Sequence, residues 1–321
     1  MLKKTIPGTD LAPSVICFGG GSIVHDDQEL AFGQLDRFFA AGGSFIDTAN
    51  VYGKWLPEAT NLSEQRLGRW IHERGNRNRL VLATKGGHPD LATMQAPRLD
   101  RQALGADLEE SLRALQTDVI DLYWLHRDDE SRPVVDILSC LEAFVASGKI
   151  RWYGCSNWKI DRIRASETVA RAEGWSGFVA NQPLWSLAEL APGSLADPTL
   201  VAMDEAMWRH HRQTNWTAVP YSAQANGYFQ KRLAGVHDVP EALRRRYDLP
   251  INDRRLSLLI QLAADEHGTV DELVLGYLLA QPFPVFPIIG PRTAAQLSAS
   301  LKAGHRDWPA WLAGRLRDPG A

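Results

Sequence analysis

Eight short, nearly continuous apolar runs, separated by segments of helical length, recur from one end of this chain to the other, and this rhythm restricts its fold more than any other feature. The runs occupy residues 15–18, 44–46, 80–84, 119–125, 150–155, 177–180, 217–221 and 285–289. Runs that are apolar on consecutive residues fit parallel strands buried on both faces. Between them, residues 28–41 place Leu30, Leu35, Phe38 and Phe39 towards one side. Residues 101–115 place Leu104, Leu108, Leu112 and Leu115 on one stripe at helical spacing. Further helices are expected at 63–74, 133–147, 159–171, 252–266, 269–280 and 294–303. Eightfold strand–helix alternation favours an α/β chain closed into a (β/α)8 TIM barrel. Periodicity does not count closure, so an open doubly wound sheet is the alternative.

No Gly- or Ser-rich linker divides the chain, and its 321 residues suit one large barrel, so a single domain over 1–321 is expected. Two stretches interrupt the rhythm, at about 186–216 and 224–251. They are expected to be loop insertions, the first carrying a helix near 203–212 and the second the basic run Arg244, Arg245 and Arg246, which suits a solvated helix face. A net charge of −3 without a basic stripe gives no support to nucleic-acid binding. Cys17, Cys140 and Cys155 are odd in number and form no CxxC pair, which fits reduced thiols and a cytoplasmic protein better than disulfides or a zinc ribbon. No apolar run approaches the ~18 residues needed to span a bilayer.

The chemistry lies at the ends of the runs. The second is followed by Asp47, the third by Lys85 and the fourth by His126. The fifth leads to Ser156 and Asn157, the sixth to Asn181 and Gln182, and the seventh to Tyr221 and Ser222. In a barrel all these ends share one rim, where active sites are built. Any one polar residue there has a plain explanation, since loops meet water. Asp, Lys and His on three successive ends are harder to explain that way. Tyr52 follows Asp47 by five residues. An unperturbed phenol ionises near ~10 and donates protons poorly at neutral pH. A nearby ammonium stabilises the phenolate, a carboxylate holds the ammonium charged, and an imidazole can orient a carbonyl oxygen. The combination lacks a nucleophile, a metal cage or a phosphate loop. It suits protonation of an oxygen that receives a hydride.

Phe45-Ile46-Asp47-Thr48-Ala49-Asn50-Val51-Tyr52-Gly53 resembles a signature of the aldo-keto reductases. Ser63-Glu64 with Leu67-Gly68, Ala83-Thr84-Lys85, and the run from Asp121 to His126 resemble its following blocks in order. Gly148-Lys149-Ile150-Arg151 and Gly154-Cys155-Ser156-Asn157 continue the series. The resemblance implies a general acid, Tyr52, tuned by Lys85 and Asp47, with His126 orienting the substrate. It implies that Ser156, Asn157 and Gln182 hold a nicotinamide carboxamide and that Trp185 stacks on the ring. The segment Tyr221, Ser222, Gln224 and Gly227 would wrap a pyrophosphate, although Ala223 replaces the usual Pro. Gly290, Arg292, Gln296 and Ser300 would meet the adenosine phosphate. Gly21, in a Gly19-Gly20-Gly21 run, would allow a close approach of cofactor or substrate.

Arg292 suits a 2′-phosphate, so NADPH is favoured, with NADH possible. The implied reaction is reversible reduction of an aldehyde or ketone, with a small-molecule carbonyl substrate. Two alternatives stay open: a Schiff-base aldolase using Lys85, and a nicotinamide-binding regulatory subunit with little turnover. Trp55, Trp124, Trp158 and the insertion at 186–216 are expected pocket walls. The sequence names neither the substrate nor the oligomeric state.

Overall fold

The chain is described here by a computed structural model, which covers every residue except 26, 59, 95, 236–238, 266, 320 and 321. All eight runs yield strands: β1 (Cys17–Gly19), β2 (Phe45–Asp47), β3 (Val81–Gly86), β4 (Ile120–Leu125), β5 (Ile150–Ser156), β6 (Ala180–Gln182), β7 (Thr217–Ala218) and β8 (Ile288–Ile289). They run parallel in the order β7-β6-β5-β4-β3-β2-β1-β8. Backbone bonds close the remaining seam. Phe286 N–H donates to the Ala218 carbonyl at 2.9 Å, Ala218 N–H to Pro284 at 2.9 Å and Ile288 N–H to Pro220 at 3.0 Å. Closure selects the barrel over the open sheet. Pro220, Pro284 and Pro287 lack ladder donors, which keeps β7 and β8 short.

The helices described are α1 (Gln28–Ala40), α2 (Leu62–Arg74), α3 (Arg101–Leu115), α4 (Val134–Ala146), α5 (Ile160–Glu173), α6 (Glu205–Thr214), α7 (Tyr228–Ala234), α8 (Glu241–Tyr247), α9 (Pro250–Ala264), α10 (Val270–Leu279), α11 (Ala294–Ala303) and α12 (Ala310–Arg317). Asp27, Asp100, Asp204, Thr269 and Thr293 each accept a bond from a first-turn amide, fixing where α1, α3, α6, α10 and α11 begin. Glu266, the expected end of the 252–266 helix, and residues 236–238 of the second insertion lie outside the described residues. The Arg244–Arg246 run sits on α8, with Arg244 and Arg245 exposed.

The core has two layers. Inside the barrel Phe45, Ala83, Leu122, Trp124, Val219 and Phe286 pack together, and the N-terminal segment adds Ile6 and Leu11 to them. A larger shell of Leu, Ile and aromatic side chains fills the space between strands and helices. The opposite, C-terminal ends of the strands are left for polar residues. Among the described residues, no helix is long and apolar enough to cross a membrane.

Candidate active site

Asp47 is the last residue of β2, and Lys85 the penultimate residue of β3, so the parallel register brings their side chains to one rim. Both are buried. The Lys85 ammonium donates to the Asp47 carboxylate, to the Thr48 carbonyl at 2.7 Å and to the Tyr52 hydroxyl at 3.4 Å. Gln182, ending β6, donates to the other Asp47 oxygen at 3.0 Å. Burial pulls the Lys85 pKa down, but Asp47 and Tyr52 more than offset this and leave it raised. The lysine is therefore a held cation rather than a free amine.

Tyr52 reaches that ammonium because the segment after β2 is a chain of turns. Asn50 N–H bonds the Lys85 carbonyl, Tyr52 N–H the Ala49 carbonyl and Lys54 N–H the Val51 carbonyl, each at 3.0 Å. Gly53 has φ +109°, and a Cβ there would meet Leu62 N and Thr60 O at 2.8 Å, so only glycine fits. Lys54 anchors the segment to α3 through Glu110 at 2.8 Å. On its other side the Tyr52 ring faces Gly21, where a Cβ would stand 3.4 Å from the ring.

Ser63 and Glu64, at the start of α2, brace this rim from behind. The Ser63 hydroxyl donates to the Gly20 carbonyl at 2.8 Å and lies 2.7 Å from the Thr48 hydroxyl. Glu64 accepts from Thr84, beside Lys85, at 2.6 Å and from Asn61 at 2.8 Å. Burial pushes the Glu64 carboxyl up from 4.5 to about 7 despite these bonds. Between those two values the folded state holds more protons than the unfolded chain, so stability falls as pH rises through this window and then levels. Urea unfolding at pH 5 and pH 8 should show the native chain losing roughly 2 to 3 kcal/mol more than Glu64→Gln. Equal losses would show that Glu64 ionises normally.

His126 directly follows β4 and is buried. Its ring centroid lies 5.8 Å from that of Tyr52 and 4.7 Å from that of His88. Burial pushes its pKa well down, and the charges of Arg127, His88 and Lys85 add to this, so the imidazole is neutral at neutral pH. Arg127 bonds the His126 carbonyl at 2.9 Å and reaches Thr199 at 2.8 Å and Asp197 at 3.2 Å. These bonds tie the first insertion to the rim.

Ser156 and Asn157 also sit at this rim, with Asn157 in the left-handed region at φ 61°. Asn157 donates to the His126 carbonyl at 3.2 Å and accepts from the Tyr221 hydroxyl at 2.7 Å. Ser156 donates to the Gln182 carbonyl at 2.8 Å. The expected stacking role of Trp185 is corrected. Trp185 is buried among the helices, stacked on Phe283 at 6.0 Å and edge-on to Tyr277 at 6.0 Å. Residues three apart in extended chain point to opposite faces, so Gln182 at the rim sends Trp185 outwards. The aromatic side chain that shares the cleft with Tyr52 is Tyr221. Of the expected tryptophan walls, only Trp55 is exposed beside Tyr52, with centroids 6.0 Å apart. Trp124 lies inside the barrel, and Trp158 packs on Phe178.

A cleft of about 890 Å³ runs from Asp47, Tyr52 and Tyr221 to the first turn of α11. Gly21, Ser222, Gln224, Gly227, Gly290, Arg292, Gln296 and Ser300 all line it. Ser156, Asn157 and Gln182 are not among its lining residues but join it through bonds, Gln182 to Asp47, Asn157 to Tyr221 and Ser156 to Gln182. The cleft also takes in Asn226, Gln230 and Lys231, which sequence reasoning missed because α7 was read as part of an irregular insertion. The signal available was the pair Asn226-Gly227, whose φ values of 52° and 74° make the turn into α7. Burial lowers the Lys231 pKa, and the nearby Arg292 charge lowers it further. Two cations crowd one end of the cleft.

The comparisons with known proteins bear on family and fold. The model of the Aldo/keto reductase family matches residues 15–310. Aldo-keto reductase ausK of Aspergillus calidoustus is 30% identical over 291 residues, covering 86% of this chain and 69% of its own. Norsolorinic acid reductase B of Aspergillus parasiticus is 28% identical over 322 residues, covering 94% and 80%. A solved thermostable aldo-keto reductase, in complex with the inhibitor epalrestat, superposes over 100% of both chains with a TM-score of 0.74 at 22% identity. A closed eight-stranded barrel, with a family match across nearly its whole length, places this chain in the aldo/keto reductase family of oxidoreductases.

Proposed function

We propose that the chain, as one barrel domain over residues 1–321, reduces an aldehyde or ketone to an alcohol with NADPH, Tyr52 acting as the general acid. The observation carrying this reading is the buried Lys85 ammonium, bonded to Asp47 and 3.4 Å from the Tyr52 hydroxyl, two side chains that line the inner end of the cleft. The cleft suits a dinucleotide. Its volume of about 890 Å³ is ample, it has glycine backbone at Gly21, Gly227 and Gly290, and its outer end is cationic. Tyr221, lying over the inner end, supports a stacking role for that ring, and Ser156, Asn157 and Gln182 are the amide-binding candidates. When bound, the reduced nicotinamide supplies the hydride. Tyr52 donates the proton to the carbonyl oxygen, and Lys85 stabilises the phenolate that remains. Asp47 keeps Lys85 charged and in place, while neutral His126 offers a ring N–H to the same oxygen. The deep cation argues against the aldolase alternative, because a Schiff-base lysine acts as a neutral amine. The complete Tyr52, Lys85, Asp47 and His126 group argues against a purely regulatory role.

Arg292, assisted by Lys231, supports NADPH over NADH. Titration of nicotinamide fluorescence, followed by turnover with a carbonyl panel, tests the reading. NADPH should bind more tightly than NADH, and the panel should yield alcohols. Arg292→Ala should weaken NADPH about ten- to hundredfold while leaving NADH nearly unchanged. An equal loss for both cofactors would remove Arg292 from the 2′-phosphate, and failure to bind either would refute the proposed function.

A further inference from the structure

We propose that His88 is a specificity-determining residue, its Nε2 accepting a hydrogen bond from a hydroxyl on the substrate, so that the site favours hydroxylated aldehydes and ketones. This deepens the carbonyl-reducing reading and rests on it. His88 stands three residues after Lys85, in the segment leaving β3. Its Nδ1 lies 2.7 Å from the Pro89 carbonyl. A carbonyl only accepts, so Nδ1 carries the proton and Nε2 of the neutral ring is an acceptor. Among the described residues nothing donates to that nitrogen. Burial pulls the pKa of His88 down and outweighs the Pro89 bond, which raises it, while the opposing charges of Arg127, Asp197 and Arg98 are smaller, so the ring stays neutral.

The position of the ring gives this acceptor its meaning. Tyr52, His126 and His88 succeed one another edge to face, at 5.8 and 4.7 Å between centroids. A substrate with its carbonyl oxygen at Tyr52 and His126 therefore comes within reach of the His88 ring. Among the described residues His126 Nδ1 also finds no partner, so polar capacity here is not spent on them. His88 also lines a side cavity of about 430 Å³, walled by Val51, Leu91, Ala92 and Ala106. The charged groups of that cavity are already matched, Lys54 with Glu110 at 2.8 Å, Arg98 with Asp107 at 2.9 Å and with Asp90 at 3.6 Å, and Lys85 with Asp47. Among its described lining residues, His88 Nε2 is left with no bond. A bare lone pair attracts a hydroxyl donor and repels a carboxylate.

Two matched substrate pairs test this: 3-hydroxybenzaldehyde against 3-fluorobenzaldehyde, and hydroxyacetone against acetone. The readout is the ratio of kcat/KM within each pair, which cancels any loss that both members share. The native protein should prefer the hydroxylated member of at least one pair by about fivefold or more. His88→Leu should bring that ratio close to one, chiefly through KM for the hydroxylated member. His88→Gln, which restores an acceptor oxygen, should recover part of it. A native protein without hydroxyl preference in either pair, or a His88→Leu protein that keeps the preference, overturns the inference while leaving carbonyl reduction intact. Failure of the native protein to reduce any of the four compounds overturns the functional reading itself, and this inference with it.

Discussion

Tyr52→Phe should keep its fold and its affinity for NADPH yet lose about 10²- to 10⁴-fold in kcat, the usual contribution of a positioned general acid. The reason is local. The ring is held by neighbours that phenylalanine retains: Trp55 and His126 meet its edge and face, and Gly21 lies against its other side. The change deletes only the oxygen, which is the atom 3.4 Å from Lys85. An interaction made mainly in the transition state lowers kcat and kcat/KM together, so KM should move little. Steady-state kinetics on any aldehyde that the native protein reduces would read this out. A variant at the native rate would remove Tyr52 from the chemistry.

Lys85→Met should be costly in two ways. Activity should fall at least as far as for Tyr52→Phe, because the phenolate loses its cation. The fold should also lose roughly 3 to 5 kcal/mol near neutral pH, the typical result of stripping one partner from a buried ion pair. Asp47 would be left buried without its cation, with Gln182 still donating at 3.0 Å. Burial already raises the Asp47 pKa even with Lys85 present. Without the lysine its carboxyl should protonate still more readily. A carboxyl whose folded pKa lies above its unfolded value costs least in acid, and costs more as pH rises. Denaturant unfolding should therefore show the Lys85→Met deficit shrinking towards pH 5 and growing towards pH 8. A deficit independent of pH would mean that Asp47 is not the group left stranded.

Much of this arrangement was legible in the sequence, and the failures have physical causes. Strands buried on both faces must be apolar on successive residues, so all eight announced themselves. Strand ends must turn polar, so Asp47, Lys85 and His126 stood out, and the structure brings these to one rim with Tyr52. Strand edges were less readable. The sixth run, expected at 177–180, forms its ladder at Ala180–Gln182, because Gly177 turns at φ 70° before the chain joins the sheet. Closure was invisible, since the seam depends on Phe286, Ala218 and Ile288 meeting across the chain. Trp185 was misplaced because spacing from Gln182 tells sequence distance, not the face of the chain. Lys231 was missed for a related reason: a short helix inside a long insertion gives little periodicity, and its approach to Arg292 is set by tertiary packing. His88 looks like an ordinary loop histidine until its Nδ1 is found committed to Pro89.

The most direct test is to incubate the native protein with NADPH carrying deuterium at both nicotinamide C4 positions and with 3-fluorobenzaldehyde, and to analyse the products by mass spectrometry. The account predicts an alcohol carrying one deuterium on the former carbonyl carbon, formed at a rate that collapses in Tyr52→Phe. An alcohol without the label, an unchanged rate in Tyr52→Phe, or aldehyde trapped on Lys85 by borohydride in place of reduction would contradict it.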